Sequence, residues 1–489
     1  MAKATIVQGT ATYEWTFTPP MGLEEILTAL GLHFPHPCGG RGKCGKCAVS
    51  VEGAASAQTQ AEREANSRLS CQTVLLGDAT VILPDVHQLE QIQFSHGVTG
   101  ADPMEGDYGA AVDLGTTTLA LSLYDLRQGT LLAQSGCANP QGVVAADVIG
   151  RIQAAMEGAL EDLSQMIQNA ILGLLQEACT KAEVLPEQVK TLILTGNTTM
   201  LYLLTDRDPD CLSHAPFEAD TLFGMETRLL DRNVFLPKCM NAFVGADITC
   251  ALLASGLCDR EETALLCDLG TNGELALWVQ GQLYVTSTAA GPAFEGAGIS
   301  CGCGSIPGAV DRAWVENGEL HLHTIGELPA VGLCGSGLMD LVAAGLELEI
   351  IEDTGAMEEP WEFASGVSLL PKDVRAVQLA KAAIAAGIYT MLQQAGLEPE
   401  EVQQLYVAGG FGSHLNLSSA VAIGLVPPEL EDRAVILGNA ALTGASQILL
   451  NRHLWHRAES IGAMATHVNL GGNPVFNQQY MEQMLFPED

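Results

Sequence analysis

Basic residues are scarce in this chain. Only 22 Lys and Arg stand against 58 Asp and Glu in 489 residues, a formal net charge of −36. Nucleic-acid binding depends on neutralising phosphates with Lys and Arg, so this balance argues against a nucleic-acid partner. Long apolar runs are lacking too. No uninterrupted stretch approaches the roughly 20 residues that span a bilayer, and no signal peptide opens the sequence, so no membrane association is expected. Charged residues make up only 16% of the chain and apolar ones 47%, enough for ample core, and the length suggests roughly three domain-sized units.

Cysteine, by contrast, is well supplied and partly ordered. Cys38, Cys44, Cys47 and Cys71 stand with five, two and twenty-three residues between them, the first three on PCGGRGKCGKC and the last closing LSC. Three clustered thiolates and one distant one suit a [2Fe–2S] cluster, whose ligands must converge on one point and whose sulfides need amide donors. Gly39, Gly40, Gly42 and Gly45 let the backbone wrap such a group without a Cβ in the way. Structural zinc is the alternative for four cysteines, but it usually takes two similar Cys-x2-4-Cys hooks. The run from Gly40 to Gly45-Lys46 imitates a phosphate-binding loop, yet Cys47 stands where Ser or Thr would hold magnesium, and we reject it as a nucleotide site. The other ten cysteines show no disulfide-scaffold spacing, and with cluster ligands present the expected location is cytoplasmic.

The flanks fit a small electron-transfer module. Residues 4–18 alternate as a hairpin around Gly9, Gly22 to Leu30 has a helical period, and Ala48–Val51 reads as a strand. The arrangement resembles a β-grasp ferredoxin. Its five-residue first spacing is closer to vertebrate-type and activator-type ferredoxins than to the plant type, which has four. Residues 1–93 carry a net charge of only −3, leaving −33 for the rest. Arg41, Lys43 and Lys46 are expected to solvate their loop, the sharper alternative being a docking rim for an acidic partner. A Gly- and acid-rich stretch then reads as a linker.

An internal repeat follows. Ala111-Val-Asp113-Leu-Gly115-Thr116-Thr117-Thr118 is echoed by Leu266-Cys-Asp268-Leu-Gly270-Thr271-Asn272-Gly273-Glu274. Each has an apolar strand, an Asp at its end, a Gly turn with polar side chains, and a second strand. Two such hairpins facing each other make a phosphate clamp, with turn amides and hydroxyls gripping oxyanions and carboxylates holding Mg²⁺ through water. The paired turns resemble those of the acetate and sugar kinase/Hsp70/actin (ASKHA) superfamily. Gly245 to Gly256 occupies the position of its first connecting helix, Lys381 to Tyr389 is similar to the second, and Leu405 to Ser413 matches its adenosine motif.

A [2Fe–2S] domain fused to this ATPase narrows the resemblance. TGNTTM at 195–200, AAGPAFEGAGISCG at 289–302, GLCGSGLMDLV at 332–342 and GGFGSHL at 409–415 resemble the reductive activators of corrinoid proteins. The resemblance spans essentially the whole chain, with a shorter stretch between ferredoxin and ATPase than in the larger members. It implies a multidomain enzyme: an α+β β-grasp ferredoxin over residues 1–93, a linker over 94–108, and a two-lobed α/β ATPase with lobes over 109–260 and 261–489. It also implies ATP-dependent one-electron reduction of a Co(II) corrinoid protein to Co(I), with an upstream reductase or ferredoxin as donor; a homodimer is compatible with it. Two alternatives stay open: ATP-coupled electron donation to another low-potential metalloprotein, and a redox-sensing ATP-binding module.

Residue roles follow from the motifs. Asp113 and Asp268 are expected at Mg²⁺-bound water, and Gly115, Thr116, Thr117, Thr118, Gly270, Thr271, Asn272 and Gly273 around the phosphates. Gly409 and Gly410 are expected against adenosine. Asp247 is expected either to order the attacking water or to cap its helix. Asn197, Glu274 and Glu295 are weaker candidates. Cys301 and Cys303 read as buried small residues, His321 and His323 as surface groups, and the period from Ile149 to Cys179 as a core-packing helix.

Overall fold

The computed structural model describes residues 1–8, 11–30, 32, 47–64, 67–83, 100, 102–409 and 415–487. Strands Ala2–Gln8 and Ala11–Phe17 form the antiparallel hairpin that alternation predicts, with Ala4 opposite Trp15 and Ile6 opposite Tyr13. The turn at Gly9 lies outside the described residues. Strand Ala2–Gln8 also pairs in parallel with Val74–Leu83, which pairs antiparallel with Ala48–Ala55. Helix Leu23–Ala29 buries Leu23, Ile26 and Leu27, the i, i+3, i+4 stripe of an amphipathic helix. These side chains share one small core with Ile6, Leu75 and Val81 of the sheet. A mixed sheet packed against helix Leu23–Ala29 is the expected β-grasp.

From Tyr108 onward, two six-stranded sheets follow one plan. In the first, Tyr108–Leu114, Thr118–Asp125 and Thr130–Ala138 form an antiparallel meander, and Tyr108–Leu114 pairs in parallel on its other side with Val189–Gly196. In the second, Ala264–Leu269, Gly273–Val279 and Gln282–Thr288 repeat the meander, and Ala264–Leu269 pairs in parallel with Gln404–Ala408. The short motif repeat is therefore the visible part of a repeated supersecondary unit. In each copy the motif aspartate is the penultimate residue of a strand paired on both sides, which places the carboxylate at the strand's C-terminal end beside the glycine turn.

Helices Ala246–Ser255 and Ala440–Leu450 lie between the sheets. One core joins them to Ala111, Ala120 and Ile193 of the first sheet and to Ala264, Leu266 and Ala276 of the second. The two helices approach closely at Gly444, where a Cβ would fall 2.0 Å from the carbonyl oxygen of Cys250. Arg452, just beyond the second helix, pairs with Asp102 at 2.8 Å and ties the segment ahead of the first lobe to the C-terminal part of the chain. Helix Pro371–Ala395 contains the expected second connecting segment; at its Gly387 a Cβ would meet side chains of Leu275 and Thr288 at 2.7 Å.

One expectation needs correction. The period from Ile149 to Cys179 predicts a single helix, but the structure has two, Val148–Ala154 and Leu160–Ala182, joined by a wide turn at Ala155–Ala159. Gly158 in that turn has φ 105°, a conformation that breaks the helix while leaving the apolar spacing intact. Leu163, Ile167, Ile171, Leu174, Leu175 and Ala178 still form the buried stripe. Among the described residues, no helix is long and apolar enough to cross a membrane.

Candidate nucleotide cleft and cluster site

The two repeated turns meet at one cavity of ≈ 240 Å³. Asp113, Gly115, Thr116, Thr117, Thr118, Asp247, Asp268, Gly270, Thr271, Asn272 and Gly409 all line it, together with Asn197, Glu274, Glu295 and Asn439. The structure thus brings together the expected residues of the cleft with one exception among those described, Gly273. That glycine lies beneath the turn, where a Cβ would meet Ile384 and Thr288 at 2.7 Å. Gly410 lies outside the described residues.

The first turn is held from behind by side-chain donors. Asn139 Nδ2 donates to the Gly115 carbonyl at 2.8 Å, and Arg151 Nη2 donates to the Thr116 carbonyl at 2.6 Å. Asn197, which caps helix Thr198–Leu204 through its Oδ1, donates from Nδ2 to Thr116 Oγ1 at 3.0 Å. Arg151 is fully buried; its guanidinium also donates to Gln141 Oε1 and the Ala145 carbonyl. Burial pulls its pKa down to about 10 even with Asp147 nearby, which leaves it charged at neutral pH. The turn therefore rests on a buried positive charge.

The second turn carries the acids. Thr271 Oγ1 donates to Glu295 Oε1 at 2.9 Å, and Thr117 Oγ1 of the first turn donates to Glu295 Oε2 at 3.0 Å. Ser287 Oγ donates to Glu274 at 3.2 Å. Gly409 has φ 98°, and a Cβ there would fall 2.4 Å from the Leu269 carbonyl oxygen and 2.8 Å from Asp268 Oδ1. Only glycine lets the end of strand Gln404–Ala408 lie against this turn.

Five carboxylates line the cavity, and among the described residues no Lys or Arg does. Burial, only partly offset by a 2.9 Å hydrogen bond from Asn439 Nδ2, raises the Asp113 pKa to about 6. Burial and the Asp113 charge raise Asp268 to about 7. Asp247 is pushed up to about 8 by burial and then by the Asp268 and Asp113 charges. Glu274 is raised well above its ordinary value, first by burial and then by Asp247 and Asp268. Among the described residues no three acidic, His or Cys side chains converge as direct metal ligands, so a divalent cation would be held here through water, and it would favour the ionised forms. Asp247 is not the cap of its helix: Gly245 occupies that position, and Asp247 lies in the first turn with Oδ1 accepting from Ile248 N at 2.9 Å.

In the ferredoxin domain, Cys47 Sγ and Cys71 Sγ lie 3.3 Å apart, well beyond the ~2.05 Å of a disulfide, so the two thiols converge without being bonded. That fits two ligands of one cluster. Cys38 and Cys44 lie outside the described residues. Sequence reading missed Glu62, whose buried carboxylate accepts from Thr59 N at 2.7 Å, Leu69 N at 3.2 Å, Thr73 Oγ1 at 2.8 Å and Arg68 Nε at 2.9 Å. Burial raises its pKa, but these donors prevail and hold it below the ordinary value. The segment that presents Cys71 is fixed between two of them. Asn439 and Arg151 were missed as well. Asn439 had a signal: Gly438-Asn439 ahead of helix Ala440–Leu450 repeats Gly196-Asn197 ahead of helix Thr198–Leu204.

Of the remaining candidates, Cys303 borders the cavity. His323 Nδ1 meets Asp311 Oδ1 at 2.6 Å, and the His321 ring stacks on Trp314. Both rings thus have ordinary structural partners.

Fold and cleft together define a ferredoxin-fused, two-lobed ATPase of the ASKHA class. Residues 7–76 match the 2Fe-2S iron-sulfur cluster binding domain, 108–260 the RACo middle region, and 262–489 the C-terminal domain of RACo, the ASKHA domain. The chain is 34% identical over 423 residues to the corrinoid activation enzyme RamQ of Eubacterium limosum, covering 78% of this chain and 71% of that protein. It is 24% identical to the [Co(II) methylated amine-specific corrinoid protein] reductase of Methanosarcina barkeri, over 78% of this chain and 77% of the relative. A solved structure titled reductive activator for corrinoid, iron-sulfur protein superposes with a TM-score of 0.73 at 24% identity, over 100% of this chain and 99% of that one, and shares its fold. The chain belongs to the corrinoid activation enzyme family.

Proposed function

We propose that this protein is an ATP-dependent reductase that returns an inactive Co(II) corrinoid protein to Co(I). The observation that carries this reading is one chain in which converging ferredoxin thiols precede a cleft where two glycine turns bearing threonine hydroxyls face each other. We assign residues 1–93 to the ferredoxin domain, 94–108 to a linker, and 109–260 and 261–489 to the two lobes, and place the protein in the cytoplasm. Cys38, Cys44, Cys47 and Cys71 would hold the [2Fe–2S] cluster, which supplies a one-electron carrier fed by an upstream reductase or ferredoxin.

Around ATP, Thr116, Thr117, Thr118, Thr271 and Asn272 would donate to phosphate oxygens, with Gly115, Gly270 and Gly273 shaping their turns. Gly409 and Gly410 would admit adenosine. Asp113 and Asp268 would hold Mg²⁺ through water. Asp247, whose raised pKa suits proton transfer near neutral pH, would order the attacking water.

The need for ATP follows from the direction of the electron. Plant-type clusters lie at about −400 mV, Co(II) with an axial ligand is harder to reduce than that, and each ~59 mV changes a one-electron equilibrium tenfold. A nucleotide gripped from both lobes favours one lobe arrangement over the other, and through that difference alters affinity for the corrinoid protein. Anaerobic spectroscopy of a candidate corrinoid protein tests this: Co(I) absorption should develop with reduced protein and MgATP, and should be absent without ATP or with Cys44→Ala. Equal Co(I) formation without ATP would remove the coupling.

A further inference from the structure

We propose that Glu295 is a γ-phosphate sensor: its carboxylate takes the place of the terminal phosphate when ADP or no nucleotide is present, and ATP must expel it. This rests on the reading of the cleft as an ATP site and adds a residue that discriminates triphosphate from diphosphate.

The geometry is that of an anion already seated in the clamp. One oxygen of Glu295 accepts from Thr117 on the first turn and the other from Thr271 on the second, at 3.0 and 2.9 Å. These hydroxyls come from the two turns that would grip phosphate, and a phosphate needs the same donors. The cavity of ≈ 240 Å³ is smaller than the roughly 300–1,000 Å³ of most ligand pockets, as expected if the protein's own anion fills the phosphate end. A triphosphate entering beside Glu295 would compete for both hydroxyls and bring like charge to contact distance. A diphosphate, one phosphate shorter, leaves the bridge in place.

Displacement falls on the Glu295 side chain, at the end of an anchored turn. Glu295 ends a single turn, Pro292–Glu295, flanked by Gly291 at φ 81°, Gly296 at φ 71° and Gly298 at φ 80°. At Gly291 and Gly298 an added Cβ would meet nothing within 4 Å, so these glycines serve backbone conformation rather than close packing. Ala293 and Phe294 of the same turn are buried in the core of the second lobe, and a Cβ at Gly296 would fall 2.6 Å from the Cys303 carbonyl oxygen, so the turn stays anchored and displacement is a rotation of the Glu295 side chain away from the two hydroxyls.

Calorimetric titration of the anaerobic, cluster-loaded full-length protein with MgAMPPNP and MgADP tests the proposal, using wild type, Glu295→Gln and Glu295→Asp. Glu295→Gln should tighten MgAMPPNP about fivefold and shift MgADP by less than about twofold, the loss of one charge-assisted competitor. Glu295→Asp, too short by a methylene to reach both hydroxyls, should shift affinities in the same direction by a smaller factor, and it carries the test alone if the amide variant fails to fold. Equal shifts for both nucleotides, or weaker MgAMPPNP binding, would overturn the sensor while leaving the ATP site standing. Wild-type protein that binds neither nucleotide would overturn the cleft reading and the proposal with it.

Discussion

The two turns of the cleft, Gly115–Thr118 and Gly270–Gly273, are near-copies in sequence but are held by opposite chemistry. Donors support the first: Arg151 and Asn139 on its carbonyls, Asn197 on its hydroxyl. Carboxylates crowd the second, with Glu274 behind it and Glu295 across it. A repeated motif therefore does not imply a repeated role. The first turn is braced by donors, and the second is ringed by acids.

Replacing the acids of the two strand ends should expose the difference most strongly. Asp268→Asn should lower steady-state ATP turnover by about two orders of magnitude, as expected when a group that orders transition-state charge is removed. Asp113→Asn should cost less, because one of its oxygens is already engaged by Asn439. Equal losses would show that the two sides act as one.

Stability should respond with opposite signs on the two sides. Arg151→Gln removes buried hydrogen bonds to two backbone carbonyls and Gln141, and should destabilise the first lobe by about 3 kcal/mol, read by calorimetric unfolding. Glu274→Gln removes a buried acid that can ionise only against the Asp247 and Asp268 charges, and should raise the unfolding temperature of nucleotide-free protein on the alkaline side. A fall for both would remove the electrostatic contrast.

The acidic side should also make stability depend on pH. Asp113, Asp268 and Asp247 titrate at about 6, 7 and 8 in the fold, against roughly 4 in an unfolded chain. Between those values the folded protein binds more protons than the unfolded one, so their contribution to stability falls as pH rises from about 4 to about 8. Magnesium, by favouring the ionised forms, should raise the melting temperature more at pH 8 than at pH 6. A shift independent of pH would count against the aspartates as its site.

What was legible in the sequence was local or periodic. The Ala2–Phe17 hairpin follows from alternation, helix Leu23–Ala29 from its period, and the cleft from a motif written twice. The break at Gly158 was not legible, since a single positive φ leaves the apolar spacing unchanged. Nor was the Asn439–Asp113 hydrogen bond, whose partners are 326 residues apart. Glu62 has the same explanation on a smaller scale: a carboxylate among polar neighbours gives no sign that four donors will close around it.

The sequence by itself determined the ligand types, the two turns and the strands that carry them, because thiolate spacing, glycine and side-chain period act within a few residues. Only the tertiary structure decided what surrounds each turn. A buried cation behind one and a bridging carboxylate across the other depend on which distant helices and loops pack there. Their energies come from desolvation and from charges at hydrogen-bonding distance, quantities that do not exist until the chain has folded.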